Sequence, residues 1–398
     1  MAPPTHDTPL KRKRTRLERT DSDGLLSFFR RKFYRDATPS LSDDDENNND
    51  TEHEDEIDPP ASDFDSRGLR RVTAMGLDEH ANDVLLRVAQ TTVATANVVF
   101  FPGDVQDFHC SIISGSYAEY DSFSYEHTAE LLAAKFGDAA NVWIVRPSRF
   151  HFGAFACFDG FVDTNTVGAV QSYPSNGSAV EQLASLMESV REILEQDPGQ
   201  DQVRISTLLP VHLVGFSKGG VVLNQIATEI ATRWHEEDLN SSNNTAGAAN
   251  QDEELHTQTE TKGVSPSHAS LCRPLASMVA SIHWLDSGNG SKRGAVPVDQ
   301  ETLVGLSQLR SLQLCVHVTP YQFESKERPW VKNEVLHLVT TLTRLGANVA
   351  FMKYAEDEPA TLASHFQILR DFQVPCGKWK TGRPDSPEIP LTPMVIQT

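Results

Sequence analysis

Gly215-Phe216-Ser217-Lys218-Gly219 stands between two runs of opposite character. Before it, Pro210-Val211-His212-Leu213-Val214 reads as a short buried strand. After it, Val221, Val222, Leu223, Ile226, Ile230 and Trp234 return at helical spacing. A serine on so sharp a strand-to-helix turn takes a strained backbone, so the residues two positions away on either side must be small. The turn lifts Oγ above the carboxyl edge of a sheet. It also puts the next amide, that of Lys218, at a helix start, where free N–H groups can hold a developing oxyanion.

G-x-S-x-G in this context is the nucleophile elbow of α/β-hydrolases. A tight turn whose serine merely caps the helix would use the same letters, and so would an elbow kept for its shape without catalysis. The rest of the chain fits the fold. Strands are expected at 84–88, 97–101, 142–145, 278–285, 312–318 and 349–353, and helices at 128–136 (closed by Gly137), 180–194, 332–345 and 361–370. Strands alternating with helices imply a mainly parallel central sheet with helices on both faces.

Of 398 residues only 39% are hydrophobic, low for a compact enzyme, so part of the chain is expected to be unfolded. Residues 1–68 read as a disordered tail, basic around Lys11-Arg12-Lys13-Arg14 and Arg30-Arg31-Lys32, then acidic from Asp43 to Asp58. A polar insertion at 236–270 and a proline-rich tail at 377–398 flank or interrupt a domain over 69–376. Much of the net charge of −20 lies in these segments, so neither an acidic enzyme surface nor nucleic-acid binding by the core follows. Protein partners would meet the acidic tail or the insertion. The basic cluster suits nuclear import or an anionic surface, and the Arg/Phe stretch a mitochondrial transit segment, against which Asp7, Glu18, Asp21 and Asp23 count. Five dispersed cysteines argue for a reducing compartment and against both a disulfide framework and a zinc site. The sequence has neither a secretory signal nor a run long enough to span a bilayer.

With Ser217 after the fifth strand, partners should follow in the order acid, then histidine, at later strand ends. His365 is the only histidine after Val349 and suits the general base. Asp286 ends the strand after the elbow and is the favoured acid; Glu324 and Glu327 lie in the next connection. The second oxyanion amide is expected from Asp104 or Val105, in the turn Phe101-Pro102-Gly103-Asp104-Val105-Gln106. Phe150, Phe152, Phe155, Phe158 and Phe161 fall in a stretch with no clear periodicity, read either as a lid or acyl pocket or as core packing.

Phe101-Pro102-Gly103-Asp104-Val105-Gln106, Ser148-Arg149-Phe150-His151, the elbow, His283-Trp284-Leu285-Asp286, Thr319-Pro320-Tyr321-Gln322 and His365-Phe366 together resemble one family. It is the eukaryotic family of human chromosome 2 open reading frame 69, and the likeness spans about residues 70–375. The resemblance implies an α/β-hydrolase-like fold, a hydrolase activity without a defined substrate, and a mitochondrial setting; cytoplasm or nucleus is the alternative. It carries over Ser217 as nucleophile, with Asp286 and His365 as partners. The expectation is therefore a serine hydrolase of esters or thioesters that needs no metal or organic cofactor. The alternative is an inactive hydrolase-fold protein acting as a binding module.

Overall fold

The computed structural model describes residues 68–196, 205–244, 275–291 and 293–375. The N-terminal tail up to residue 67, residues 245–270 of the insertion and the C-terminal tail lie outside the described residues. Among the described residues ten strands occur in chain order: β1 (Leu69–Met75), β2 (Ala81–Arg87), β3 (Ala96–Phe101), β4 (Ala140–Val145), β5 (Arg149–His151), β6 (Phe155–Cys157), β7 (Val211–Phe216), β8 (Val279–Leu285), β9 (Gln313–Val318) and β10 (Val349–Lys353). β5 and β6 form a separate hairpin; the others make one eight-stranded sheet in the order β1-β2-β4-β3-β7-β8-β9-β10. β2 is antiparallel to β1 and β4, and every other pairing in the large sheet is parallel. The main helices are α1 (Tyr125–Phe136), α2 (Ala179–Gln196), α3 (Gly220–Asn244), α4 (Gln300–Gln308), α5 (Pro329–Arg344) and α6 (Leu362–Asp371).

Period two explains why the central strands are apolar throughout. Along β3, Val99 and Phe101 face one core while Val98 and Phe100 face another, because successive side chains leave opposite sides of the sheet. The first core is closed by apolar stripes from α2, α3, α4 and α5, including Leu183, Leu223, Leu303 and Leu338. On the second, α1 and α6 supply Leu132, Phe366 and Leu369. Each such side chain contributes roughly 1.5–3 kcal/mol on burial. Parallel pairing from β3 to β10 brings the carboxyl ends of these strands to one edge, and the loops that follow them meet there.

Four departures from the sequence reading have local causes. β1 is an edge strand whose alternation is broken by Arg70-Arg71, and it pairs along its whole length with β2. α4 lies in a stretch where no helix was expected, although Asp299 caps it by accepting from the Thr302 amide at 3.1 Å. α3 continues past Trp234 to Asn244, into the expected insertion. No glycine or proline interrupts it there, and extending a formed helix costs little. Finally, the phenylalanine-rich stretch, for which no strand was expected, contains the β5–β6 hairpin; Phe155, Phe158 and Phe161 are core residues, while Phe152 is 71% exposed.

A buried polar array crosses the sheet on the face that carries α1 and α6. His212 Nδ1 is 2.7 Å from Ser281 Oγ, which is 2.9 Å from His283 Nε2; His283 Nδ1 is 3.2 Å from His317 Nε2, and His317 Nδ1 is 3.0 Å from Tyr354 OH. Burial lowers the pKa of His212, His283 and His317, that of His317 to about 3. The unfolded chain therefore binds more protons than the folded one between about pH 3 and pH 6.5. Stability is complete above the unfolded value and falls as pH drops. His317 alone should cost about 2 kcal/mol at pH 5. Melting temperature is expected to fall between pH 7 and pH 5, and to fall less in His317→Asn.

Candidate active site

Ser217 follows β7 with φ of +51°, the strained conformation that the elbow requires. The flanking glycines are needed for space. A Cβ on Gly219 would sit 1.9 Å from the carbonyl oxygen of Phe101, and one on Gly215 would be 2.8 Å from Leu223 Cδ1. Gly219 thus allows the start of α3 to press directly on the end of β3, beside the turn that holds Asp104. Gly103 is similarly crowded, its notional Cβ falling 2.9 Å from Ser217 Cβ. Ser217 is half-buried, and its hydroxyl has no hydrogen-bond partner among the described residues.

Asp286 terminates β8 at φ +44° and is fully buried. Its Oδ1 accepts from the Thr319 amide at 2.7 Å, and its Oδ2 accepts from the Thr319 hydroxyl. That same Oδ2 lies 2.7 Å from His365 Nδ1. A carboxylate only accepts, so this contact puts the imidazole proton on Nδ1 and leaves Nε2 as the acceptor. His365 sits in the first turn of α6, whose start is fixed by a reciprocal cap between Thr361 and Ser364. Its ring packs against Phe216 and Tyr321, with centroids 4.6 Å away in each case, and is 2% exposed. Glu324 and Glu327, the other acids considered, are exposed, and Glu324 lines a separate small cavity.

Ser217 and His365 line one open cleft with about 650 Å³ of empty space. Asp104, Lys218, Tyr321, Gln322 and Arg328 line it too. The two amides considered for the oxyanion differ. Val105 N–H donates to the Ala154 carbonyl at 2.9 Å and is engaged, whereas Asp104 N–H has no protein acceptor among the described residues. Asp104 therefore remains beside Lys218 as an amide donor. Burial raises the pKa of the Asp104 carboxyl, against which the nearby Lys218 charge pulls down. The phenylalanines of the 146–177 stretch do not line the cleft. Two groups of donors close enough to hold a metal ion occur among the described residues, His283-Cys315-His317 and His109-Asp121-His127, and neither borders the cleft.

Thr319, Phe216, Tyr321, Gln322 and Arg328 were not expected from sequence as site residues. Thr319-Pro320 is a helix-cap signature, and Thr319 does accept from the Tyr321 amide, which places its hydroxyl and amide at the end of β9 beside Asp286. The roles of the others depend on contacts across strands.

Residues 70–210 and 254–348 match the C2orf69 family. The chain belongs to the C2orf69 family. A Danio rerio relative named mitochondrial protein C2orf69 homolog is 31% identical over 333 residues, 77% of this chain and 86% of the relative. The Homo sapiens mitochondrial protein C2orf69 is 24% identical over 321 residues, 69% of this chain and 74% of its own length. Among solved structures, a Lactobacillus plantarum lipase/esterase is 14% identical with a TM-score of 0.36, covering 75% of this chain and 96% of its own. A Zea mays acyl-protein thioesterase 2 is 13% identical with a TM-score of 0.31, covering 69% and 89%. Asp104, Asp286 and Arg328 fall inside the matched C2orf69 segments, while Ser217 and His365 fall outside them. The assignment of those two residues thus rests on this chain's own geometry. No helix among the described residues is long and apolar enough to cross a membrane.

Proposed function

We propose that this C2orf69-family chain is a serine hydrolase that cleaves an ester or thioester through an acyl-enzyme on Ser217. The observation that carries the reading is the 2.7 Å contact between buried Asp286 and His365, whose ring borders the same cleft as Ser217. His365 Nε2 takes the Ser217 proton as Oγ attacks the acyl carbon, and Asp286 holds the imidazolium that forms. The amides of Lys218 and Asp104 stabilise the tetrahedral oxyanion. His365 then protonates the departing alcohol or thiol. Water, deprotonated by the same imidazole, releases the acid and restores the serine. Each proton moves on a side chain of this protein. Ser217 Oγ and His365 line the same cleft without a hydrogen bond between them among the described residues, and catalytic contacts of this kind commonly tighten only with substrate in place. The mitochondrial names of the relatives support the same compartment for this chain.

A fluorophosphonate probe is the direct test, because it reacts only with an activated serine. Intact protein is expected to gain one adduct, mapped to the peptide that contains Ser217. A folded protein that gains none is instead a binding module on a hydrolase scaffold, with its tail and insertion as contact segments.

A further inference from the structure

Three polar side chains in the cleft have hydrogen-bonding capacity that the protein leaves unused. Gln322 is 3% exposed, its Oε1 is buried without a partner, and its side-chain amide makes no hydrogen bond among the described residues. Arg328 keeps a buried Nε without an acceptor; its side chain hydrogen-bonds only Tyr321 among the described residues, through the tyrosine side chain and a long 3.5 Å contact from Nη2 to the carbonyl. It makes no ion pair among the described residues, and its guanidinium carbon lies 5.2 Å from the centroid of the Tyr321 ring. Lys218, 3% exposed, reaches only the Val167 carbonyl at 3.5 Å.

Asp104 and Asp286 offset Lys218 and Arg328 in number, yet neither carboxylate pairs with the Arg328 guanidinium. Asp286 is held by Thr319 and His365. Asp104 accepts from the Ala156 amide at 2.8 Å, and of the cations acting on its carboxyl Lys218 acts most strongly and Arg328 least. Arg328 is thus a guanidinium without a carboxylate partner among the described residues. A guanidinium presents a planar fork of N–H donors, and a carboxylate or phosphate is the group that satisfies it. Buried polar groups without partners are uncommon in native proteins, and at the rim of a reactive cleft they mark where a ligand sits.

We propose that Arg328 and Gln322 form an anion-binding subsite beside Ser217, so that the ester or thioester cleaved there carries a carboxylate or phosphate group. The guanidinium grips the anion and the Gln322 NH₂ group donates beside it; Oε1, which only accepts, takes no part in holding it. Tyr321 packs against both Arg328 and His365, which ties the gripped end of the substrate to the base. The substrate class rests on the hydrolase reading; the subsite itself does not.

Calorimetric titration of the full-length Ser217→Ala protein at low salt removes turnover and reads the subsite alone. Glutarate and inorganic phosphate are titrated in parallel, with neutral glutaramide as control. Saturable binding of glutarate alone assigns a carboxylate, of phosphate alone a phosphate, and of both an anion of either kind. Arg328→Met in the same background should weaken binding by about 30-fold, the loss of one charge-assisted forked contact. Gln322→Leu gives a second reading should Arg328→Met fail to fold. Wild type is then compared on mono-p-nitrophenyl glutarate and p-nitrophenyl butyrate. For a carboxylate-reading site, the ratio of kcat/KM values should favour the anionic ester and collapse in Arg328→Met. Binding of neither anion, binding equal to that of glutaramide, or binding indifferent to both substitutions overturns the subsite. Absence of fluorophosphonate labelling together with Arg328-dependent binding would instead overturn hydrolysis and leave the subsite standing.

Discussion

Ser217→Ala is expected to lower ester hydrolysis by roughly 10⁶-fold while leaving thermal unfolding within about 0.5 kcal/mol of wild type. The two halves follow from one local geometry. In the proposed reaction the hydroxyl is the attacking atom, so without it only binding and the oxyanion amides would remain to accelerate it. Yet Oγ has no hydrogen-bond partner among the described residues, and the side chain is half-buried in an open cleft. Its removal therefore strands no buried group. The measurement is initial-rate hydrolysis of a p-nitrophenyl ester beside a calorimetric melt. A variant that retains more than a hundredth of the wild-type rate would place the chemistry on another residue.

Asp286→Asn is expected to cost about 10⁴-fold in kcat, with the protein still folded. Asparagine keeps the size of the side chain, and its oxygen can still accept from the Thr319 amide, 2.7 Å from Oδ1. Its NH₂ group then replaces the Oδ2 that now receives both the Thr319 hydroxyl and His365 Nδ1. Two donors facing each other force His365 into the tautomer that carries its proton on Nε2, where it cannot accept from Ser217. Some stability is lost as well, on the order of 1–3 kcal/mol, because a buried donor is left unpaired. Glu324→Gln and Glu327→Gln change exposed side chains and should stay within about twofold of wild type. A large loss in either, with Asp286→Asn near wild type, would move the acid to the following connection.

Much of this arrangement was legible in the sequence because the signals are local. The elbow glycines, the apolar runs before Ser217 and Asp286, and the single histidine beyond the last strand each announce themselves within a few residues. Where the sequence misled, the cause was also local. Arg70 and Arg71 disguised an edge strand, and the phenylalanines of 150–161 left pocket and core packing both open until the fold put most of them in the core. Neither point displaced a candidate site residue, because β3, β7, β8 and β10 were recognised and their carboxyl ends lie on one edge.

The chain order of the proposed nucleophile, acid and base, and the turn that strains Ser217, were determined by the sequence alone, since backbone sterics act between neighbours. Which carboxylate meets the imidazole was decided only in three dimensions. Asp286 and His365 are 79 residues apart, and what separates Asp286 from Glu324 is the Thr319 clamp at the end of the adjacent strand. The engaged amide of Val105 and the unpartnered Nε of Arg328 belong to the same class. A polar group's chemistry depends on what faces it across the sheet edge, and sequence spacing carries no record of that.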